Sequence, residues 1–245
     1  MTIDPRLAER RREVAEDRAR RKVGRLVRLL LALGSVGALV WLLFSPLLSV
    51  DEVTTTGIGV SSAHAALVEH GVVAGRPMIL IQPEEVEDAL ETDPWIEEAV
   101  IELEWPGRVR VNVEERVPTA WLATENGWGR LAVDGVELSS SPAPDNSLPW
   151  IELGPTDDDD GWRQRLLGAL QFADSLPEEL REGARVRVES DGELWGEVAG
   201  FQVRLGRAVE MREKALSLAA LIREQPAPGS ILTLIAPTHP AVTPP

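Results

Sequence analysis

The segment IELEWPGRVRVNVEERVPTAW, residues 101–121, carries the most regular pattern in this chain. Apolar residues alternate with polar ones in it twice, first at Ile101, Leu103 and Trp105 and then at Val109, Val111 and Val113. A period of two predicts two β-strands, each with one buried and one exposed face. Pro106-Gly107 between them suits the central positions of a type II turn, in which the second residue has φ > 0. The segment therefore predicts a β-hairpin.

One further strand and two short helices are predicted before this hairpin, at 50–56, 61–69 and 83–90. Gly57 and Gly59 favour a turn after the strand, and Ser61 or Ser62 would cap the first helix. Pro83 is a good first-turn residue for the second helix. Residues 50–115 thus read strand, helix, helix, strand, strand.

This order of elements resembles a POTRA domain, and the likeness becomes specific at its C-terminal end. The residues that carry it are Trp105-Pro106, the three alternating valines, Glu115-Arg116, Pro118, Ala120 and Trp121. They are similar to the junction between the POTRA and β domains of the FtsQ/DivIB family of bacterial division proteins. The resemblance covers nearly the whole chain. It implies a POTRA domain at 51–117, a β domain at 118–236 and a Pro-rich tail at 237–245.

The C-terminal half reads as short strands joined by tight turns such as Asn126-Gly127, Asp134-Gly135 and Asp191-Gly192. The expected strands are 119–124, 130–133, 185–189, 194–198, 201–205 and 231–236. Two helices, 162–175 and 208–223, show apolar faces and flank the sheet, each covering one side. The predicted fold class is therefore α+β, with a mixed β domain and two flanking helices after the POTRA domain.

Residues 29–50 contain no charged side chain and predict a single transmembrane helix. The 28-residue head before them holds ten Lys/Arg and five Asp/Glu, whereas the remainder holds 15 and 35. This asymmetry places the head in the cytoplasm and the body outside. A cleaved signal peptide is the competing interpretation, but no small-x-small cleavage site follows. Gly34 and Ala38 form a small-xxx-small pair that either seats another membrane helix or simply faces lipid.

The composition excludes several functions. A net charge of −15 argues against nucleic-acid binding, and the absence of cysteine excludes disulfides and thiolate chemistry. His64, His70 and His239 are too scattered for a metal triad, and Asp157–Asp160 lacks the spacing of a calcium loop. No P-loop, Gly-x-Ser-x-Gly or His-Glu-x-x-His motif occurs. We therefore expect no catalytic residue, metal or cofactor.

The resemblance implies that the last strands bind FtsB-like and FtsL-like division proteins, together with other divisome membrane proteins, at the septum. A last strand need have no neighbour on one side, so its backbone can pair with an incoming strand. The predicted partner-binding residues are Ile231, Leu232, Thr233, Leu234, Ile235 and Ala236, with Val242 beside them. Leu232 and Leu234 supply specificity if they face the partner, and burial in the core is the alternative.

Two other functions remain open at this stage. An extracytoplasmic enzyme with a site assembled from distant residues would show a pocket with converging titratable groups. A POTRA-type polypeptide chaperone would normally precede an outer-membrane barrel, and no series of alternating ten-residue strands follows here. The leading hypothesis is a non-catalytic membrane scaffold, which would show an open sheet edge.

Overall fold

The computed structural model describes residues 26–57, 62–125, 127–154 and 161–245. The chain divides into two compact units. The first consists of the described residues up to Glu91 with Glu98–Val113, and the second of Thr92–Glu97 with the described residues from Glu114 to Pro245. Five sequence predictions fall outside the described residues: residues 1–25 of the basic head, the turn at Gly59, the Ser61 cap, Asn126, and Asp157–Asp160.

Helix α1 spans Leu26–Leu43, and it is the one helix in the described residues that is long and apolar enough to cross a membrane. Its 18 residues correspond to about 27 Å at ~1.5 Å per residue. The prediction of one continuous helix over 29–50 is wrong at its C-terminal side. Pro46 opens a 3-10 turn, Pro46–Leu48, and the Ser45 hydroxyl accepts a hydrogen bond from Leu47 N. Proline cannot donate to a continuing helix, which accounts for this break.

A three-stranded sheet carries the predicted strand, helix, helix, strand, strand order. Its strands are β1 (Glu52–Thr56), β2 (Ile96–Glu104) and β3 (Arg108–Glu115), and the helices α2 (Ser62–Glu69) and α3 (Pro83–Glu91) follow β1. The spatial order is β1-β3-β2, with β1 parallel to β3. The POTRA-like α+β prediction is therefore confirmed.

The alternation that predicts the hairpin matches the burial in its second strand, whereas in the first strand Ile101 is buried, Leu103 is half-buried and Trp105 is 50% exposed. Val109, Val111 and Val113 are buried in β3, while Arg108, Arg110 and Glu114 are exposed. Gly107 has φ +85°, the positive value expected at that turn position. The turn differs from type II in that the Trp105–Pro106 peptide bond is cis.

The second unit is built on a nine-stranded mixed sheet. Its spatial order is β12-β11-β10-β9-β8-β7-β4-β5-β6. The strands are β4 (Pro118–Thr124), β5 (Gly127–Ala132), β6 (Glu137–Ser141), β7 (Trp150–Leu153), β8 (Arg185–Val188), β9 (Leu194–Val198), β10 (Phe201–Gly206), β11 (Ile231–Thr233) and β12 (Ala241–Thr243). Of these, β6, β7 and β12 were not predicted, because none carries a long alternating pattern.

Three helices accompany this sheet: α4 (Gly161–Ser175), α5 (Glu178–Arg181) and α6 (Met211–Arg223). The expectation that the two long helices cover opposite sides is wrong. Helices α4 and α6 pack against each other, and their apolar residues share one core with the sheet. Gly168 of α4 permits close approach of the segment that leads into α6, since a Cβ on Gly168 would lie 2.5 Å from the Cβ of Ala208. The other face of the sheet is left without a helix among the described residues.

Candidate functional site

The last two strands form an antiparallel hairpin at one end of the nine-stranded sheet. Ile231 pairs with Thr243, Leu232 with Val242, and Thr233 with Ala241. Strand β11 also pairs in parallel with β10, so it is enclosed on both sides. In the described part of the chain, no strand pairs with the outer side of β12. At this end of the sheet the open edge is therefore β12, while β6 is the edge strand at the other end.

The register shows which backbone groups of β12 are available. Leu234 N donates to Arg204 O of β10 at 2.8 Å. Because backbone donors alternate in direction along a strand, the N–H of Thr233 points the other way, towards β12. The pairs Thr233–Ala241 and Ile231–Thr243 are then the hydrogen-bonded pairs of the hairpin. Val242 lies between them, so its N–H and C=O point away from β11, towards the open side.

Two prolines frame this open position. Pro240 and Pro244 stand two residues to either side of Val242, where a backbone N–H would also face outward. Proline has no N–H, so it costs no hydrogen bond within the sheet at these positions. The edge therefore offers one outward donor, at Val242, flanked by carbonyl acceptors. All three residues of β12 are exposed.

The predicted edge 231–236 is thus corrected. The strand ends at Thr233, and a turn at Ala236–His239, closed by a bond from His239 N to Ala236 O, brings the chain back as β12. Leu232 and Leu234 are fully buried and belong to the core, which settles their two interpretations in favour of burial. Ile231 and Thr233 are half-buried, whereas Ile235, Ala236 and Val242 are exposed.

The returning hairpin is held by contacts with helix α6. The Ser217 hydroxyl donates to Pro237 O at 2.9 Å, and Pro237 itself is buried. The sequence suggested a tail here because Pro237 and Pro240 interrupt any strand pattern. Instead, Pro237 anchors the turn that makes the hairpin.

A buried lysine fixes the strand end beside this hairpin. Lys214 of α6 is 2% exposed, and its Nζ donates to the carbonyl oxygens of Leu205 at 2.7 Å and Arg207 at 2.9 Å. Burial lowers the pKa of Lys214, and the nearby Glu210 carboxylate acts in the opposite direction. The ammonium group satisfies the carbonyl groups at the end of β10. It thereby fixes β10, the strand that pairs with β11.

The helix-free face of the sheet carries stacked tryptophan and arginine side chains. The guanidinium carbons of Arg130, Arg185 and Arg204 lie 4.6, 4.8 and 5.6 Å from the ring centroids of Trp121, Trp150 and Trp195. Arg204 also forms a bidentate ion pair with Glu193, with N–O distances from 2.8 to 3.1 Å. These cross-strand pairs stabilise this face, on which Trp121 is buried and Trp150 and Trp195 are half-buried. The only sequence signal for them was the alternation of Arg and Trp with apolar residues.

The same face holds a shallow cavity of about 260 Å³ over strands β7 to β10. Its charged side chains include Glu152, Arg185, Arg187, Glu189 and Glu197. Arg187 lies 3.6 Å from Glu152 and 3.8 Å from Glu189, so it offsets part of the negative charge of the three glutamates. Among the described residues, no group of three metal-ligating side chains converges. The arrangement is one of paired surface charges.

Comparisons with known proteins agree with this architecture. Residues 48–116 match the family model described as "POTRA domain, FtsQ-type". The chain is 27% identical over 221 residues to Cell division protein FtsQ of Mycobacterium tuberculosis, which covers 89% of this chain and 68% of that protein. It is 27% identical over 208 residues to Cell division protein FtsQ of Streptomyces coelicolor, covering 78% and 76%. The chain is therefore similar to FtsQ cell-division proteins over most of its length, and residues 48–116 match an FtsQ-type POTRA domain.

Arg116, just after the hairpin of the small sheet, is held by several hydrogen bonds. Arg116 Nε donates to Asp134 Oδ2 at 2.8 Å, and its Nη1 donates to the carbonyl oxygens of Pro94 and Ile96. Partial burial acts to raise the pKa of Asp134. The hydrogen bonds from Arg116 and Val136 N and the charge of Arg116 outweigh it, so the pKa lies below its ordinary value. The Glu115-Arg116 motif of this FtsQ-type chain therefore supplies a structural ion pair.

The predicted helix-association pair lies on an accessible stretch of α1. Gly34 and Ala38 are both exposed, and a Cβ placed on Gly34 would meet no atom within 4 Å. A neighbouring membrane helix would find room for close approach there. Association through this pair stays a prediction.

Proposed function

We propose that this chain is a non-catalytic scaffold of the bacterial division machinery that binds FtsB-like and FtsL-like proteins through the open edge at β12. In this proposal α1 spans the cytoplasmic membrane once, with residues 1–28 inside and the POTRA domain (51–117) and β domain (118–236) outside, at the septum. Other divisome membrane proteins would assemble around it.

The observation that carries the proposal is the exposed, unpaired outer side of β12. An extended partner segment can add there as a further strand and gain main-chain hydrogen bonds. The side chain of Val242 is 43% exposed, which leaves it available for a partner's apolar residue. The single outward donor between two prolines would fix the register of the incoming strand.

The remaining features support a scaffold over an enzyme. Two of the three carboxylates in the shallow cavity form ion pairs with Arg187, and the matching relatives carry the name of a division protein. The excess of Lys/Arg before α1 and of Asp/Glu after it supports the proposed topology.

The proposal is tested by changing the open donor alone. Val242→Pro removes the outward N–H while leaving the donors of Ala241 and Thr243 in the hairpin. The affinity of the full chain, in lipid nanodiscs, for the extracytoplasmic segments of FtsB and FtsL would be measured by fluorescence anisotropy. We expect about tenfold weaker binding, the equivalent of one lost hydrogen bond of about 1.4 kcal/mol.

Val242→Ala is the matched control, since it shortens the same side chain but retains the donor. It should weaken binding less than Val242→Pro does. If the Val242→Pro protein melts like the wild type and binds with unchanged affinity, the β12 edge is not the docking site.

A further inference from the structure

Strand β2 is one edge of the small sheet, and two of its outward donors are already occupied. Ile101 N donates to Glu87 Oε1 at 2.7 Å, and Ala99 N donates to Glu91 Oε1 at 3.2 Å. Both acceptors are side chains of helix α3. In the described residues, no strand lies on that side of β2. Two helix carboxylates thus take the hydrogen bonds that a neighbouring strand would otherwise take.

The spacing of these residues suits the arrangement. Glu87 and Glu91 are one helical turn apart, a rise of about 6.0 Å. Ala99 and Ile101 are two strand residues apart, about 6.7 Å along β2. Helix α3 and strand β2 run in opposite directions, because the chain turns back between them. Glu91, the later helix residue, therefore bonds Ala99, the earlier strand residue. Helix and strand periods match within about 1 Å.

The helix can hold this position because a neighbouring face is anchored in the core. Val86 and Leu90 of α3 are each 1% exposed. Glu87, which lies between these two residues in sequence, is half-buried, and Glu91 at the end of the helix is exposed. The carboxylates are therefore carried on a fixed element, and they also present negative charge where an incoming strand would bring its carbonyl oxygens.

The edge needs such protection because its centre is apolar. Ala99, Val100 and Ile101 form an uncharged run, and Val100 is 40% exposed. An edge strand with free donors and an apolar centre is a template for pairing with another chain. The donors at 99 and 101 lie symmetrically about Val100, so two copies of β2 could pair antiparallel about a two-fold axis at that residue.

We propose that Glu87 and Glu91 close the β2 edge against antiparallel pairing with β2 of a second copy of this chain. The closure acts through the two side-chain hydrogen bonds. It is independent of partner binding at β12, so failure of either proposal leaves the other standing.

The test compares two double variants of the full chain in detergent micelles. Glu87→Ala with Glu91→Ala removes both acceptors, whereas Glu87→Gln with Glu91→Gln removes the charge but retains an amide oxygen that accepts. Hydrogen exchange at Ala99 and Ile101 should become about tenfold faster in the alanine variant, as expected for a lost hydrogen bond of about 1.4 kcal/mol. In the glutamine variant it should stay close to the wild-type rate.

Self-association is read from a single introduced thiol. Since the chain contains no cysteine, Val100→Cys provides a unique cross-linking site at the proposed two-fold axis. Under mild oxidation the alanine variant should give several-fold more disulfide-linked dimer than the wild-type background. The variant Glu84→Ala with Glu85→Ala, on the same helix, is the matched control and should behave like the wild type.

Three results would overturn the proposal. Unchanged exchange at Ala99 and Ile101 in the alanine variant would show that the bonds do not protect the edge. Faster exchange without more dimer would show that they do not control pairing. Equal dimer formation in the glutamine and alanine variants would assign the closure to charge instead of hydrogen bonding. A melting curve for each variant confirms that it remains folded.

Discussion

One edge strand of the small sheet, β2, and one edge strand of the large sheet, β12, have opposite character. Strand β2 is nine residues long, and the carboxylates of Glu87 and Glu91 occupy two of its donors. Strand β12 is three residues long, and Pro240 and Pro244 leave Val242 as its one outward donor. A long edge is thus covered by side chains, whereas a short edge is left open but limited in what it can pair with. This difference is the reason for proposing β12, and not β2, as the partner-binding edge.

The largest expected effect comes from removing the support beneath the open edge. Leu232 of β11 is fully buried, and β11 is the strand on which β12 rests. Leu232→Ala should lower the free energy of unfolding of the larger unit by about 3 kcal/mol, through lost burial and the cavity left behind. Chemical denaturation followed by tryptophan fluorescence measures it.

Val242→Ala serves as the control for that experiment, because it truncates an exposed side chain directly opposite Leu232. It should change the unfolding free energy by less than about 0.5 kcal/mol. Equal effects of the two substitutions would contradict the assignment of β11 to the core and β12 to the surface.

A smaller effect is expected at the hairpin that carries β2. Gly107 has φ +85°, and a Cβ there would lie 3.2 Å from Asp51 Cβ and 3.4 Å from Ser49 O. Gly107→Val should destabilise the small sheet by about 1–3 kcal/mol, because a β-branched residue is strained at positive φ and its Cβ is crowded.

Hydrogen exchange in β2 and β3 measures that loss. Gly183→Val is a suitable control in the other unit, since Gly183 has φ +70° but a Cβ there would meet no atom within 4 Å. Gly183→Val introduces the backbone strain of a positive φ without steric crowding of the Cβ, so the difference between the two variants measures the crowding at Gly107. Unchanged exchange in Gly107→Val would mean that the hairpin tolerates a different turn.

The smallest effect is a pH dependence confined to the larger unit. The pKa of Asp134 in the folded protein lies below its ordinary value of 3.8. A lowered carboxyl pKa contributes stability that is fully present above the unfolded pKa and is lost as the pH falls through the folded one. The contribution at neutral pH is below about 1 kcal/mol, since Asp134 is partly exposed.

Asp134→Asn should remove this contribution at pH 7 and converge with the wild type in strong acid. Acid titration of thermal stability for both proteins measures it, with the exposed Asp88→Asn as the control in the small unit. Curves for Asp134→Asn and wild type that stay parallel over the whole acid range would contradict a stabilising Arg116–Asp134 pair.

Sequence patterns predicted those elements whose alternation or helical period is local. Val109, Val111 and Val113 marked β3, and Arg185 and Arg187 around Val186 marked β8. Periodicity alone located individual elements, and the family resemblance indicated how they are grouped into domains. The position of the open edge was missed, because β12 has three residues between prolines and is defined by its pairing with β11. Likewise, the sequences of α4 and α6 could not show that both helices lie on the same face of the sheet. The periodicity of a helix indicates only which side of that helix is apolar.

The carboxylate closure of β2 depends on contacts between distant positions, and the sequence offers only a weak sign of it. Glu87 and Glu91 share a helix face, as many exposed acidic pairs do. Their hydrogen bonds to β2 depend on how α3 packs beside the strand. An acidic pair of this kind indicates a covered strand edge only when its short helix directly precedes an edge strand.

The helix-free face of the larger sheet has an optical consequence. The rings of Trp128 and Trp150 lie 5.4 Å apart and are inclined by 52°. Ala123 of β4, which pairs with Trp128, leaves room for this contact. Two indole chromophores so close and tilted couple their electronic transitions, which gives a paired positive and negative band in circular dichroism. That couplet is an intrinsic spectroscopic signature of correct strand order in the larger unit, and it needs no added label.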